Sequence, residues 1–104
     1  MARVIGSAWF EEQLARASTA EQRQVQGFIA QLKRGSVTGK PLGYPFFREK
    51  KFGDKRLLFL FYAEYDVILL VTITDKRHQQ HVIDQIVARL HLYREEIQRR
   101  FGRH

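Results

Sequence analysis

Lys55-Arg56-Leu57-Leu58-Phe59-Leu60-Phe61-Tyr62-Ala63 and Val67-Ile68-Leu69-Leu70-Val71-Thr72-Ile73-Thr74, separated by Glu64-Tyr65-Asp66, decide the fold of this 104-residue chain. Both runs are rich in aliphatic, aromatic and β-branched residues. Neither alternates apolar with polar, so each reads as a strand buried on both faces. Just upstream, Phe46 to Phe52 reads as a further strand carrying Arg48, Lys50 and Lys51, and Gly53-Asp54 turns the chain into Lys55. Three strands joined by tight turns make an antiparallel meander. Its two apolar strands should be central and covered on each side.

Helices flank this meander. Towards the N-terminus, Val4 and Ile5 suggest a short strand over residues 2–6, ended by Gly6. Ser7 then caps a helix over about 8–17, with Trp9, Phe10 and Leu14 on one stripe. Ser18-Thr19-Ala20-Glu21-Gln22 offers two overlapping capping boxes, Ser18 with Glu21 or Thr19 with Gln22. The helix that follows, to about Arg34, turns Val25, Phe28, Ile29 and Leu32 inward, and Gly35 stops it. The pair is an αα-hairpin. Residues 35–45 hold Gly35, Gly39, Gly43 and both prolines and read as a connecting loop. The loop is no P-loop, because Gly39-Lys40 is followed by Pro41 rather than Ser or Thr. After the meander, Ile83, Ile86, Val87, Leu90, Tyr93, Ile97 and Phe101 predict one long helix from about Arg77 to Phe101, capped by Thr74 or Asp75. The basic tail from Arg99 to His104 is expected to fray. The order is β-α-α-β-β-β-α. This is an α+β fold in which a helical hairpin and a C-terminal helix pack on one face of a small, mainly antiparallel sheet, with residues 1–104 as a single domain.

Composition narrows the function. Eighteen Lys and Arg against eleven Asp and Glu leave a net charge of +7, with a pI near 10.1. Such a balance points to an anionic partner, above all nucleic acid or an acidic protein. The chain has no cysteine, which excludes disulfides, cysteine-based zinc sites and a thiol nucleophile. Glu11 and Glu12 interrupt the N-terminal stretch before an h-region of signal-peptide length, and the longest apolar run, Val67 to Val71, is far too short to span a bilayer. A cytoplasmic protein with no membrane partner is expected.

The cations gather in two clusters: Arg48, Lys50 and Lys51 with Lys55 and Arg56, and Lys76, Arg77 and His78 with His81 one helical turn on. Alternation puts Arg48 and Lys50 on one face of their strand and Lys51 on the other, while Arg56 shares a face with Leu58, Leu60 and Tyr62. A cationic sheet face with Arg56 near its middle is suited to RNA. Cutting RNA without a metal requires a group that takes the 2′-hydroxyl proton, cations that stabilise the crowded phosphate, and an acid for the leaving oxygen. Arg clamps phosphate through a planar fork, Lys supplies a point charge, and His transfers protons near neutral pH. Lysines on an edge strand also serve simply to prevent aggregation. Asp75, His78 and His81 have a spacing compatible with metal but lack a fourth ligand, so no metal and no other cofactor is expected.

Gly39-Lys40-Pro41-Leu42, Arg48-Glu49-Lys50-Lys51-Phe52-Gly53, Lys55-Arg56-Leu57-Leu58-Phe59-Leu60 and Val71-Thr72-Ile73-Thr74-Asp75-Lys76-Arg77 together resemble the RelE/ParE superfamily of toxin–antitoxin proteins. The resemblance covers about residues 25–90 together with the preceding helical hairpin. It implies the toxin of a type II toxin–antitoxin pair, which enters the ribosomal A site and cuts mRNA by 2′-hydroxyl attack without a metal. On that pattern Arg56, Arg77, Lys51 and His81 are the catalytic candidates. Arg48, Lys50, Lys55, Lys76 and His78 are the RNA-binding ones. The implied partners are a cognate antitoxin, acidic by charge complementarity, and the ribosome with its mRNA. Several active members place a tyrosine a few residues after the last arginine. Here Gln79-Gln80-His81-Val82-Ile83 holds none, and His81 is the candidate substitute. The resemblance leaves two alternatives: a ParE-like inhibitor of DNA gyrase, and a catalytically degenerate RNA-binding member.

Overall fold

The computed structural model describes residues 2–102. Its elements are β1 (Arg3–Gly6), α1 (Ala8–Arg16), α2 (Thr19–Lys33), β2 (Lys40–Tyr44), β3 (Phe47–Phe52), β4 (Lys55–Tyr62), β5 (Val67–Asp75), α3 (Gln79–Ala88) and α4 (Leu90–Phe101). The expected meander is present. β3, β4 and β5 pair antiparallel in sequence order inside a five-stranded sheet of order β1-β5-β4-β3-β2. β1 adds to β5 in parallel, with Arg3 opposite Val67 and Gly6 opposite Leu70.

The two apolar strands are central and covered on each side, as their sequence requires. Leu57, Phe59, Ile68, Leu70 and Ile73 pack against Phe10 of α1 and Val25, Phe28 and Leu32 of α2. Leu58, Leu60, Tyr62, Leu69 and Val71 pack on the other face against Val82 and Ile86 of α3 and Ile97 of α4. Helices therefore occupy both faces, not the single face expected. A strand apolar on every residue has two faces to bury, and one helical layer covers only one of them.

The helical hairpin forms as read. Ser7 accepts from the Phe10 N–H at 3.0 Å and donates to the Val71 carbonyl at 2.6 Å, so one hydroxyl both caps α1 and ties it to β5. Of the two possible capping boxes, Ser18–Glu21 is the one made, at 3.1 and 2.9 Å. Gln22 instead donates to the carbonyls of Leu14 and Ala17, holding the hairpin closed. α2 ends in a Schellman turn: Gly35 has φ +92°, its N–H donates to Leu32, and the Ser36 N–H donates to Gln31. Trp9 leaves the stripe of Phe10 and Leu14 and packs with the α3–α4 cluster.

Three further expectations need correction. The loop over 35–45 contains an edge strand, β2, in which Lys40 faces Glu49, Pro41 faces Arg48 and Tyr44 faces Phe47. Pro41 is tolerated there because an edge strand leaves one row of N–H groups unused. The long C-terminal helix is two helices broken at Arg89 (φ −116°, ψ 11°), without proline or glycine. The break lets Ile86 and Ile97 both reach the same sheet face. α4 continues through Phe101 rather than fraying from Arg99, while Arg103 and His104 lie outside the described residues. No helix among the described residues is long and apolar enough to cross a membrane.

Candidate functional site

The polar chemistry collects at one end of the sheet, where β3 finishes, β4 starts, β5 finishes and α3 begins. Register sets the row: Lys51 faces Arg56, and Arg56 faces Thr74. Glu49 lies two residues before Lys51 on the same face, diagonal to Arg56. Arg56 Nε stands 4.0 Å from Glu49 Oε2, and both side chains are only 10% exposed. The Gln79 amide donates to the same carboxylate oxygen, and Arg56 donates to the Lys55 carbonyl at 3.2 Å. This buried carboxylate–guanidinium–amide cluster floors a cleft of about 500 Å³, whose walls include Lys40, Lys76 and Gln80. Three cations against one carboxylate leave the cleft positive. Arg56 sits at the second residue of β4, so it marks the end of the sheet rather than its middle.

A smaller cavity of about 230 Å³ opens on the other side of the α3 start, between α1 and the end of β5. Trp9, Gln13, Arg16, Lys55, Asp75 and His78 line it. Asp75 Oδ1 lies 2.9 Å from both the backbone N–H and the ring Nδ1 of His78. The His78 backbone hydrogen bond, followed by the side-chain one, holds the Asp75 carboxyl below its ordinary value. An ionised carboxylate only accepts, so the His78 ring donates from Nδ1 to Asp75 and leaves Nε2 facing away from it.

The structure divides the sequence candidates. Arg56 and Lys76 share the larger cleft, with Lys51 beside Arg56 in register. Lys55 and His78 line the smaller cavity. Lys50 lies on the opposite face, its ammonium 5.4 Å over the Phe28 ring. Arg48 donates to the carbonyls of Pro45 at 2.8 Å and Gly39 at 2.9 Å, fastening β2 to β3. Arg77 and His81 are exposed and line neither cleft. Tyr93 packs with the α3–α4 cluster near Tyr62, whose hydroxyl burial pushes up to about 12. Tyr62 is six residues along β4 from Arg56, roughly 20 Å away. Among the described residues no three His, Asp or Glu side chains gather closely enough to hold a metal.

Sequence reasoning missed Glu49, Gln79, Lys40 and Trp9 as site residues. Phe47-Arg48-Glu49 carried a signal for the first. Phe47 is a core residue, and period two puts Glu49 on the same inward face.

No family model matches the sequence, and no curated protein matches it. Solved structures do. The toxin–antitoxin complex RelBE2 of Mycobacterium tuberculosis superposes with a TM-score of 0.62 at 19% identity, over 72% of this chain and 98% of that one. The isolated RelE toxin of Escherichia coli gives 0.62 at 12% identity, over 83% of this chain and 99% of that one. The RelB–RelE complex of Methanococcus jannaschii gives 0.63 at 11%, over 75% and 96%. The chain has the RelE toxin fold. Almost the whole of each solved RelE-like chain is matched, together with 72% to 83% of this one. At these identities it is a likeness of fold, and the side chains of the RelE-like cleft must be argued from this chain alone.

Proposed function

We propose that the chain is the toxin of a type II toxin–antitoxin pair, a ribosome-dependent endoribonuclease that cuts mRNA by 2′-hydroxyl attack without a metal. The observation that carries the reading is the cationic cleft around Arg56, at the open end of a RelE-like sheet. Arg56, Lys76, Lys51 and Lys40 oppose the charge that builds on the phosphate oxygens. Glu49 is the carboxylate inside the cleft, beside Arg56, and accepts the 2′-hydroxyl proton as the 2′-oxygen bonds to phosphorus; the P–O5′ bond breaks and the leaving 5′-oxygen takes its proton from water at the open cleft. His81, the sequence candidate for proton transfer, lies outside the cleft lining, and Arg77 is exposed beside Lys76; both meet RNA from the rim. Solved structures with this fold include toxin–antitoxin complexes, and by analogy this chain has an antitoxin partner, which charge complementarity makes acidic.

Induced expression in a bacterial host, with mRNA ends mapped by primer extension, tests the reading. Wild type should arrest growth with new in-frame cuts. Arg56→Lys, which keeps the charge but loses the planar fork, and the pair Lys76→Ala/Arg77→Ala should each abolish them. Two observations favour a second reading, a catalytically degenerate RNA-binding member: Arg56 is already paired with Glu49, and no tyrosine stands in Gln79–Ile83. That reading requires binding to RNA with no cuts at all. Arrest through DNA damage, again without cuts, would instead mark a gyrase inhibitor.

A further inference from the structure

The cavity between α1 and the end of β5 has no part in the cleavage chemistry just described, yet it is the more enclosed and chemically more varied of the two. From its lining we infer that it is a nucleotide subsite, which holds one ribonucleotide of a single-stranded RNA next to the Arg56 cleft. The inference rests on the RNA-binding reading.

Four observations support it. Trp9 is half-buried, packs partly with the α3–α4 cluster and lines the cavity, which fixes an aromatic surface at its wall. Bases of any identity stack on such a surface. A volume of about 230 Å³ is room for one base with part of its ribose and excludes a folded element. Lys55 and Arg16 supply two cations for a phosphate; Arg16 is 70% exposed and holds Glu12 only at 3.4 Å, so it is available to turn inward. Gln13 offers a paired donor and acceptor to a base edge, and His78 Nε2 is the ring nitrogen left to pair with a ribose hydroxyl, which can both donate and accept. Asp75, the one carboxylate in the lining, is engaged twice by His78 and therefore opposes a phosphate less than a free carboxylate would.

Placement agrees with the chemistry. Lys55 and Arg56 are consecutive on β4, Asp75 and Lys76 follow one another from the end of β5, and His78 and Gln79 open α3. The first of each pair lines the smaller cavity and the second lines the larger cleft. Two sites back to back across the same three steps suit two successive nucleotides of one strand.

Trp9 is the only tryptophan in the chain, so its fluorescence reports on this cavity alone. The probes are adenosine 5′-monophosphate, adenosine and ribose 5-phosphate, titrated into the full-length chain. The nucleotide should quench Trp9 saturably, with adenosine weaker and ribose 5-phosphate nearly silent. Arg16→Gln and Lys55→Ala should each weaken the nucleotide roughly tenfold. Arg56→Lys should leave the quenching unchanged while mRNA cutting is lost. Absence of quenching, equal quenching by ribose 5-phosphate, or quenching untouched by Arg16→Gln and Lys55→Ala would overturn the subsite. Quenching that persists in a chain that never cuts mRNA would leave the subsite standing and remove the nuclease reading instead.

Discussion

Arg56 and Glu49 each have an otherwise costly position: a guanidinium and a carboxylate almost out of water, 4.0 Å apart, with Gln79 closing the pair. Removing one partner leaves the other buried and uncompensated. Arg56→Ala should therefore lower the unfolding free energy by about 3 kcal/mol, read from urea denaturation, while Arg56→Leu combined with Glu49→Leu should recover most of it. Activity studies on Arg56 need this control, because loss of cutting in an alanine variant confounds chemistry with stability. Asp75 offers a second test. Its carboxyl is held below 3.8 in the folded chain, chiefly by the His78 backbone N–H. A lowered folded value stabilises the fold above the ordinary carboxylate range, and that contribution is lost as pH falls through the lowered value. Asp75→Asn should thus lower the Tm near neutral pH and leave it unchanged in strong acid. An NMR titration of the Asp75 carboxyl should find its midpoint below 3.8. Residue type and clustering picked out Arg56, Lys76 and His78 in the sequence. Glu49 stayed hidden because, in a run of charges, it reads as solvated; only its alternation with Phe47 marks it as inward-facing.

At the scale of elements, most of the architecture is legible from pattern. Leu57 to Tyr62 and Val67 to Ile73 had to be central strands, and Ser18-Thr19-Ala20-Glu21 had to start a helix. The elements that escaped are those whose local signals oppose their final state. β2 contains Pro41 and Gly43, both depleted in strands, and its pairing depends on Arg48 reaching Gly39 and Pro45. The break at Arg89 has no proline or glycine to announce it and follows from where Ile86 and Ile97 must pack. β2 also yields a prediction. Gly39 has φ +119°, and a Cβ there would lie 2.6 Å from the Glu49 carbonyl oxygen. Gly39→Ala should cost about 1–3 kcal/mol and loosen β2, seen as faster amide exchange in β2 and β3 with β5 unaffected. Unchanged exchange in β2 would mean that the strand is held by something other than this close approach.

The whole molecule carries +7, and Lys51, Lys55, Arg56, Lys76 and Arg77 stand together where β3, β4, β5 and α3 meet. A chain that contacts about four phosphates of a single strand should show a slope of log K against log salt of about −3, and Lys76→Ala should reduce the magnitude by about 0.7. The fold supplies the open sheet end, and the basic residues give it a sign. Neither specifies an activity, since one fold can host unrelated functions. We propose that the Arg56 cleft cuts mRNA held on the ribosome. The most direct measurement incubates the purified chain with one mRNA, naked and on programmed ribosomes, and sequences the ends. Cuts are expected only on the ribosome, with 2′,3′-cyclic phosphate ends, abolished by Glu49→Gln and Arg56→Lys in chains that still melt cooperatively. Intact mRNA on the ribosome with the wild-type chain, or cuts that survive both substitutions, would contradict it.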